Sequence, residues 1–379
     1  MNIDLSIKIT QPLSSRIKSH TGKLKQIKII GSKMKRAIIL TIVSMFLFIS
    51  FSCKENGITP PEDKPGRRDY TWTVDTIGAS NNTYYRLWAS SPTDVWATSP
   101  GDLSKSIAHF DGARWITYYV PGMNNPGSIY GFAYNNIYIA ADGGGIWKFD
   151  GANWTKFAQL SIAGQTDIAF NDIWGESSND FYAFGGYPDT NRYYNNSFIA
   201  HYYNNNWLVM DTKKINGLVA KLFKNSLDKK IYIRTSKAGN GLFPDSTIIY
   251  EYDQSNFKKI YSSIWTGGQQ ADISLINNEV YFILGYQLAK RSNGQFQAFL
   301  QVNNLNFYQR IWGRNSKDIF LLMIDGLAHY NGSDIQYLFH FNKVPRTQIF
   351  GAALLEKDAF FLVYESQTGL SLIYHGKLK

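Results

Sequence analysis

The stretch IAHFDGARW, residues 107 to 115, decides the fold because altered copies of it return along the chain. The spacing between successive copies is 39, 53, 50, 39, 39 and 44 residues, and self-similarity at such a period is typical of propellers and solenoids. The copies are GIWKFDGANW (145 to 154), IAHYYNNNW (199 to 207), IYEYDQSNF (249 to 257), LAKRSNGQF (288 to 296), LAHYNGSDI (327 to 335) and a shortened LIYHG (372 to 376).

Two further short apolar runs precede each copy. In the first repeat they are YRLWAS and DVWATS, separated by the turn residues SPT. Each repeat is therefore four short strands, a to d, in which the copy supplies strand c, a tight turn and the start of strand d. Four-stranded units of about forty residues are the blades of a β-propeller. Abundant aromatic residues (16%) and few charged ones (18%) also favour an all-β chain.

The seventh repeat lacks its last strand. It ends with SLIYHGKLK at Lys379, before the repeat position, or column of the aligned repeats, that is occupied by Trp115, Trp154 and Trp207 in other repeats. Near the other end, DYTWTVDTI (69 to 77) has no partner of its own, and Trp72 can fill that column. An open ring would leave two unpaired strand edges. We therefore predict that residues 70 to 77 pair with strand c of the last blade, which closes a seven-bladed β-propeller over residues 70 to 379.

The first repeat combines W-x-S-S-P-x-D-V-W-A with H-x-D-G-x-x-W. This pattern resembles the repeats of secreted bacterial β-propeller lipoproteins, and the resemblance covers about residues 84 to 378. It is strong in repeats one, two, three and six and faint in the others. It implies the fold and an exported location, but propellers include binding modules and enzymes alike.

The leader explains the positive charge of the chain. Residues 1 to 53 hold nine Lys or Arg and one Asp, so they account for +8 of the net +10 and leave about +2 for the rest. The small charge of the remaining chain therefore does not favour a nucleic-acid partner. Met34, two positive charges and sixteen uncharged residues (37 to 52) predict a signal peptide at 34 to 52. Residues 1 to 33 are then an upstream extension from a misassigned start, or alternatively a basic cytoplasmic tail.

The only cysteine, Cys53, follows this signal directly. The arrangement resembles a bacterial lipoprotein signal, which implies lipid attachment to Cys53 and a membrane partner; a plain membrane anchor is the alternative. Residues 53 to 69 are polar and proline-containing, which predicts a flexible linker. We expect a monomer held at the outer membrane, on its periplasmic or its surface face.

Histidines and Asp-Gly pairs recur in the repeats but are interpreted as scaffold. His109, His201 and His329 share one column, yet equivalent strand positions of different blades lie far apart, whereas zinc ligands converge on one ion. We therefore predict no metal site there. The pairs at Asp111 and Asp150 have the sequence of tight turns.

Functional residues are expected in the loops that depart from the repeat. The loops between strands b and c are long in blade three (GYPDTNRYYNN, 186 to 196) and blade four (SKAGNGLFPDS, 236 to 246), and long loops are more often functional than short ones. With the next loop, SSIWTGGQQ (262 to 270), they offer stacking surfaces and hydrogen-bond donors suited to a glycan or a peptide. The candidate ligand-binding residues are Tyr187, Arg192, Tyr193, Tyr194, Phe243 and Trp265. Variable surface without a ligand is the alternative.

Acids also recur in six of the seven b–c loops. They could surround a Ca²⁺ ion at the propeller mouth, although Asp is equally a common turn former. These acids are Asp102, Asp142, Asp189, Asp245, Asp325 and Glu365. We predict no cofactor, with this Ca²⁺ site as the weaker alternative.

Three function classes remain open at this stage. The chain has no HExxH, GxSxG or phosphate-binding glycine loop, so no catalytic residue is assigned. The first class is a binding or interaction module for a glycan or a protein. The second is a propeller enzyme acting on glycans, a hydrolase or lyase, which would require two or three acids converging at the central mouth. The third is a structural envelope protein without a small ligand.

Overall fold

The computed structural model describes residues 63–77, 82–101, 103–239, 245–265, 270–342 and 347–379. These residues form seven antiparallel four-stranded sheets within one unit, Asp63–Lys379. The innermost strands of neighbouring sheets contact one another, and the last sheet contacts the first, so the sheets form a closed ring. The predicted all-β, seven-bladed β-propeller is therefore confirmed. The leader, the predicted signal peptide and Cys53 lie outside the described residues.

The first four blades are continuous in sequence, with strands a to d in chain order. Blade one contains β2 (Arg86–Ser91), β3 (Asp94–Thr98), β4 (Ile107–Phe110) and β5 (Trp115–Tyr118), with a 3-10 turn at Leu103–Lys105. Blade two contains β6 (Tyr130–Ala133), β7 (Asn136–Ala141), β8 (Gly145–Phe149) and β9 (Trp154–Gln159). Blade three contains β10 (Ala169–Ser177), β11 (Asp180–Tyr187), β12 (Asn196–Tyr203) and β13 (Asn206–Val209). Blade four contains β14 (Leu218–Lys224), β15 (Ile231–Lys237), β16 (Ser246–Tyr252) and β17 (Phe257–Ile264).

The last three blades complete the ring. Blade five contains β18 (Ala271–Ile276), β19 (Glu279–Leu284), β20 (Gln287–Ser292) and β21 (Gln295–Gln301). Blade six contains β22 (Phe307–Asn315), β23 (Asp318–Met323), β24 (Gly326–Tyr330) and β25 (Ile335–His340). Blade seven contains β26 (Thr347–Leu354), β27 (Asp358–Glu365) and β28 (Leu370–Leu378), and its fourth strand is β1 (Tyr70–Thr76). In the described ranges, no helix is long and apolar enough to cross a bilayer.

The inner strands of the blades are the most deeply buried, and in most blades the second strand is more buried than the others, since blades pack against it on both faces. In β23 every side chain of DIFLLM is buried, whereas β21 at the rim of blade five is largely exposed. This difference explains why the second strands read as continuous apolar runs and the fourth strands as alternating ones. The core therefore lies between the blades, for example where Trp96 of β3 packs edge-to-face on Trp154 of the next blade.

Strand β1 closes the ring as predicted. It pairs antiparallel with β28, from Tyr70 opposite Leu378 to Thr76 opposite Leu372. Trp72 lies opposite Gly376 and packs edge-to-face on Phe339 of blade six, with ring centroids 4.9 Å apart. Gly376 has to lack a side chain here, because a Cβ atom would lie 2.7 Å from the Trp72 ring. The seventh blade thus receives its missing tryptophan from the start of the domain.

The turns between strands c and d have the predicted geometry. Gly112 adopts a φ of +92° and Gly151 a φ of +100°, a region that favours glycine. In front of each glycine an aspartate caps the turn: Asp111 Oδ1 accepts hydrogen bonds from the backbone N–H groups of Ala113 and Arg114, both at 2.9 Å. The Asp-Gly pairs are therefore turn formers, as interpreted from the sequence.

In six blades an acid and a base pair between the start of strand b and strand c: the acid is on strand b in five of them, and in blade four the base Lys230 precedes strand b and the acid Glu251 is on strand c. In four of them the base is the recurrent histidine, which stacks on or tilts against the aromatic residue two positions after the acid. Each histidine thus faces an aspartate of its own blade. The nitrogen–oxygen pairs are His109–Asp94 (2.8 Å), His201–Asp180 (2.7 Å), His329–Asp318 (2.7 Å), His375–Asp358 (2.6 Å), Lys230–Glu251 (2.7 Å) and Lys290–Glu279 (2.7 Å).

Residues 63 to 69, the last part of the predicted linker, pack across one end of blade six. The Asp63 carboxylate accepts hydrogen bonds from the backbone N–H and hydroxyl of Ser316 at 3.0 and 2.6 Å. Arg68 pairs with Asp334 at 2.8 Å and also donates to the backbone of His329. Gly66 lies against the His329 ring, where a Cβ atom would clash. This part of the linker is therefore attached to the propeller.

Candidate functional site

Two long loops of blades three and four meet at one face of the ring. In blade three, Asp189 Oδ1 accepts the backbone N–H groups of Asn191 and Tyr193 at 2.8 and 3.0 Å, which shapes the loop. Asn195 then joins it to blade four, since its side chain exchanges hydrogen bonds with the backbone of Ala238 at 2.9 and 3.4 Å. The two loops thus form one surface.

A cavity of about 370 Å³ opens between these loops. Tyr194, Trp265 and Arg234 of β15 all line it. Trp265 is positioned by its backbone N–H, which donates to the carbonyl of Asp245 at 2.9 Å. The Tyr194 hydroxyl donates to Asp167 at 2.9 Å, and burial together with that carboxylate raises the pKa of the phenol. We call this space the loop cavity.

The structure brings together only some of the predicted binding residues. Tyr194 and Trp265 share the loop cavity. Tyr187 instead packs against the core between blades two and three, and Arg192 and Tyr193 are exposed on the loop outside the cavity lining. Phe243 lies outside the described residues.

A wider groove continues from the loop cavity between blades four and five. It has a volume of about 870 Å³ and shares Lys237 and Ser246 with the loop cavity. Ile264, more than half exposed, lies on its wall beside Trp265. The cavity and the groove together give an elongated surface rather than a closed pocket for one small molecule. A separate depression of about 850 Å³ lies between blades one and two, beside His109.

Six charged side chains, absent from the sequence-based candidates, lie around the central channel. We call them the channel cluster: Arg86, Asp172, Lys221, Arg234, Asp272 and Arg310. Lys221 Nζ pairs with Asp272 at 2.7 Å and also donates to the carbonyl of Ile273 at 2.9 Å. Arg234 approaches the same carboxylate at 3.9 Å, and Arg86 approaches Asp172 at 3.5 Å. Asp272 therefore holds two cations of blade four against blade five.

The channel cluster is buried deep in the molecule yet still reaches solvent. About a quarter of the Lys221 and Arg86 side chains is exposed, and both line a central cavity of about 300 Å³. Burial lowers the pKa of Lys221 to about 8; Asp272 opposes this shift and Arg310 and Arg234 add to it. Burial also favours the neutral form of Asp272, but Lys221, Arg234 and Arg310 outweigh it and hold the pKa of that carboxyl below its usual range.

A sequence signal for the channel cluster does exist. The innermost strands of blades one, three, four and six place a charged residue two positions before an aromatic one, as in Arg86-Leu-Trp88 and Arg310-Ile-Trp312. Charged residues inside such apolar strands are unusual unless they are paired. A position-by-position comparison of the innermost strands of all blades would therefore have predicted charged side chains around the channel.

The described acids of the b–c loops accept hydrogen bonds from their own loops or from neighbouring segments of the same blade. Asp325 accepts from Asn306 and Tyr337 at 2.9 and 2.7 Å, and Asp245 accepts from the backbone of Gly239 at 2.6 Å. Burial, with a contribution from Asp167, raises the pKa of Asp142. Asp102 lies outside the described residues. Within the described ranges no group of three or more His, Cys, Asp or Glu could hold a metal ion.

No protein-family model matches the chain, and no curated protein matches it in sequence. Solved structures do match it in fold. A streptogramin B lyase structure has a TM-score of 0.60 at 15% identity, over 82% of this chain and 98% of that one. A catalytically inactive virginiamycin B lyase from Staphylococcus aureus with quinupristin has a TM-score of 0.60 at 12% identity, over 82% and 100%.

A third match is to YCF48 bound to a D1 peptide. Its TM-score is 0.57 at 14% identity, over 82% of this chain and 99% of that one. The whole propeller is aligned in all three cases, and at these identities the likeness concerns the fold alone. The chain therefore has a fold found both in lyases and in a peptide-binding protein.

Proposed function

We propose that this chain is a lipid-anchored binding module of the bacterial cell envelope that recognises an extended polypeptide at the loop cavity and the adjoining groove. The observation that carries the proposal is the continuity of the two spaces through Lys237 and Ser246, with exposed aromatic residues at their junction. An elongated surface suits a chain of several residues better than a single small molecule. The structure of YCF48 bound to a D1 peptide supports the idea that this fold can take a peptide.

The chemistry of the surface also favours a polypeptide partner. Trp265 is 49% exposed, Ile264 54% and Tyr194 38%, so the junction exposes apolar side chains next to polar backbone and to Lys237. Trp and Tyr are enriched among the residues that dominate protein interfaces, because they bury a large area at low entropic cost. A partner would therefore place an apolar side chain between Tyr194 and Trp265 and extend along the groove.

Replacing Trp265 tests this site directly. Random peptides are displayed and selected on purified residues 63–379, and the affinities of the selected sequences are measured by fluorescence anisotropy. We expect Trp265→Ala to weaken them by about thirtyfold, since a central aromatic anchor contributes about 2 kcal/mol or more, and Tyr194→Ala to weaken them by about tenfold.

The control is Tyr134→Ala, which removes an aromatic residue that is even more exposed but lies outside the loop cavity and the groove. It should leave these affinities unchanged. Selected peptides that bind the Trp265 and Tyr194 variants as tightly as the wild type would contradict the proposed site.

The anchor is tested separately on Cys53. Cells that express the full chain should incorporate a labelled fatty acid into the wild-type protein and none into Cys53→Ala. That variant should also leave the membrane fraction, because the lipid on Cys53 is the proposed membrane anchor and each buried CH₂ of its chains contributes about 0.8 kcal/mol. An unlabelled wild-type protein would show that Cys53 is not lipidated and would leave the peptide site untouched.

A further inference from the structure

The central channel holds more positive than negative charge. The channel cluster has four cationic side chains and two carboxylates, a formal excess of two positive charges. Buried charges are costly unless they are paired, so an unbalanced group inside a protein requires compensation. Asp272 is shared between Lys221 and Arg234 and cannot neutralise both. The excess therefore calls for a further anion.

Arg310 is the least compensated member of the cluster. Its guanidinium donates to the backbone carbonyl of Ile349 at 3.1 Å, and among the described residues no carboxylate lies within 4.0 Å of it. Burial of the group lowers the pKa of Arg310, and the cations Arg234 and Arg86 add to this shift, whereas Asp272 and Tyr308 oppose it. Arg310 therefore contributes a positive charge that no adjacent carboxylate of the described residues balances.

Space for a ligand lies on both sides of the cluster. Arg234 lines the loop cavity, whereas Arg86, Asp172 and Lys221 line the central cavity of about 300 Å³. That volume is at the lower end of the range for ligand pockets, so it suits a small group. Aromatic residues of the innermost strands, among them Trp88 and Trp174, form other parts of the wall.

We propose that the central cavity binds an oxyanion, a carboxylate or a phosphate, against Arg86 and Lys221, which line it, while Arg310 adds positive charge to the same cluster. Arginine forks bind both groups through paired charge-assisted hydrogen bonds, and lysine adds a point charge. Such a ligand would neutralise the excess positive charge at a buried site, where water screens charges poorly. This inference goes beyond the proposed peptide surface and does not depend on it, because the two sites share only Arg234.

The test titrates phosphate, sulfate, succinate and, as baseline, chloride at equal ionic strength into purified residues 63–379, the unit that contains every strand. Calorimetry and thermal unfolding should both report binding of at least one oxyanion above the chloride baseline. Tighter binding of phosphate or sulfate would identify a phosphate-type ligand, and tighter binding of succinate a carboxylate one. No oxyanion effect above chloride would overturn the proposal.

Variants distinguish a ligand site from a structural charge cluster. Lys221→Gln should weaken oxyanion binding about tenfold or more, since a charged donor that lines the cavity is lost. Arg310→Gln should weaken it severalfold, because one positive charge of the cluster is lost, while its unfolding temperature in chloride stays equal or rises because repulsion decreases. Lys156→Gln removes the same charge from an exposed position and should change nothing. Wild-type affinity in both channel variants would contradict the assignment.

A pH series on the wild type provides a readout that needs no variant. The charged groups that face Lys221 are Asp272, Asp172, Arg234 and Arg310. Burial lowers the pKa of Lys221 to about 8, so its charge is lost as the pH rises above that value. Sulfate keeps its charge throughout, and its affinity should therefore fall between about pH 7 and about pH 10. A constant sulfate affinity over this range would exclude Lys221 from the site.

Discussion

A chain that starts at Ile77 is expected to lose the cooperative unfolding of the propeller, whereas one that starts at Tyr70 keeps it. The longer chain retains β1, which pairs along its whole length with β28, and loses only residues 63 to 69. The shorter chain exposes the edge of β28 and leaves blade seven with three strands. Because an unpaired strand edge invites pairing with other chains, the shorter chain should also aggregate. Circular dichroism and size-exclusion chromatography measure both effects.

A single substitution isolates the contribution of the closing tryptophan. Trp72→Ala should lower the free energy of unfolding by about 3 kcal/mol, since Trp72 packs between blades six and seven and nothing else fills its place beside Gly376. Val74→Ala on the same strand is the control, because Val74 is half exposed and should change stability little. Equal stabilities of the two variants in denaturant would show that closure does not depend on the tryptophan.

Sequence reasoning succeeds where every blade needs the same local structure. Each of the first six blades has a turn with a positive φ after strand c, so Asp or Asn followed by Gly recurs in blades one, two, five and six, and Asn or Gln takes the positive φ in blades three and four. The spacing of these turns counts the blades. The closing strand is predicted on the same basis. The tryptophan that begins strand d in other repeats is missing at the C-terminus, and Trp72 near the start of the domain can take its place. Such features are local in sequence, and a repeat shows them several times over.

The candidate site is harder to predict because its members are distant in sequence. Tyr194 and Trp265 share a cavity only because Asn195 ties the loop of blade three to the loop of blade four. Asp172 and Arg86 become neighbours only when the ring closes. Six loop residues were predicted from their chemistry, but loop conformation decides which of them converge, and sequence pattern carries little information on that.

The second large effect is expected at Asp272, the carboxylate that Lys221 and Arg234 share. Asp272→Asn leaves four cations with Asp172 alone, and breaking a buried ion pair from one side costs about 3 to 5 kcal/mol of stability. The substitution keeps the shape of the side chain, so the loss should come from charge. Urea denaturation of residues 63–379 at neutral pH measures it.

The pH dependence of that loss distinguishes charge from packing. Asp272 raises the pKa of Lys221, so the variant should hold Lys221 at a pKa below its present value of about 8, farther from the value of 10.5 in an unfolded chain. Between those two values the unfolded state binds more protons than the folded state, and stability rises with pH. The wild type shows the same rise only above about pH 8, so the deficit of Asp272→Asn should shrink as the pH rises toward about 8 and then level off. Asp111→Asn, at an exposed turn where blade six already has Asn331, should show neither the loss nor the pH dependence. A deficit that stays the same at every pH would mean that Asp272 acts through packing, and the channel would then have no unbalanced charge to explain.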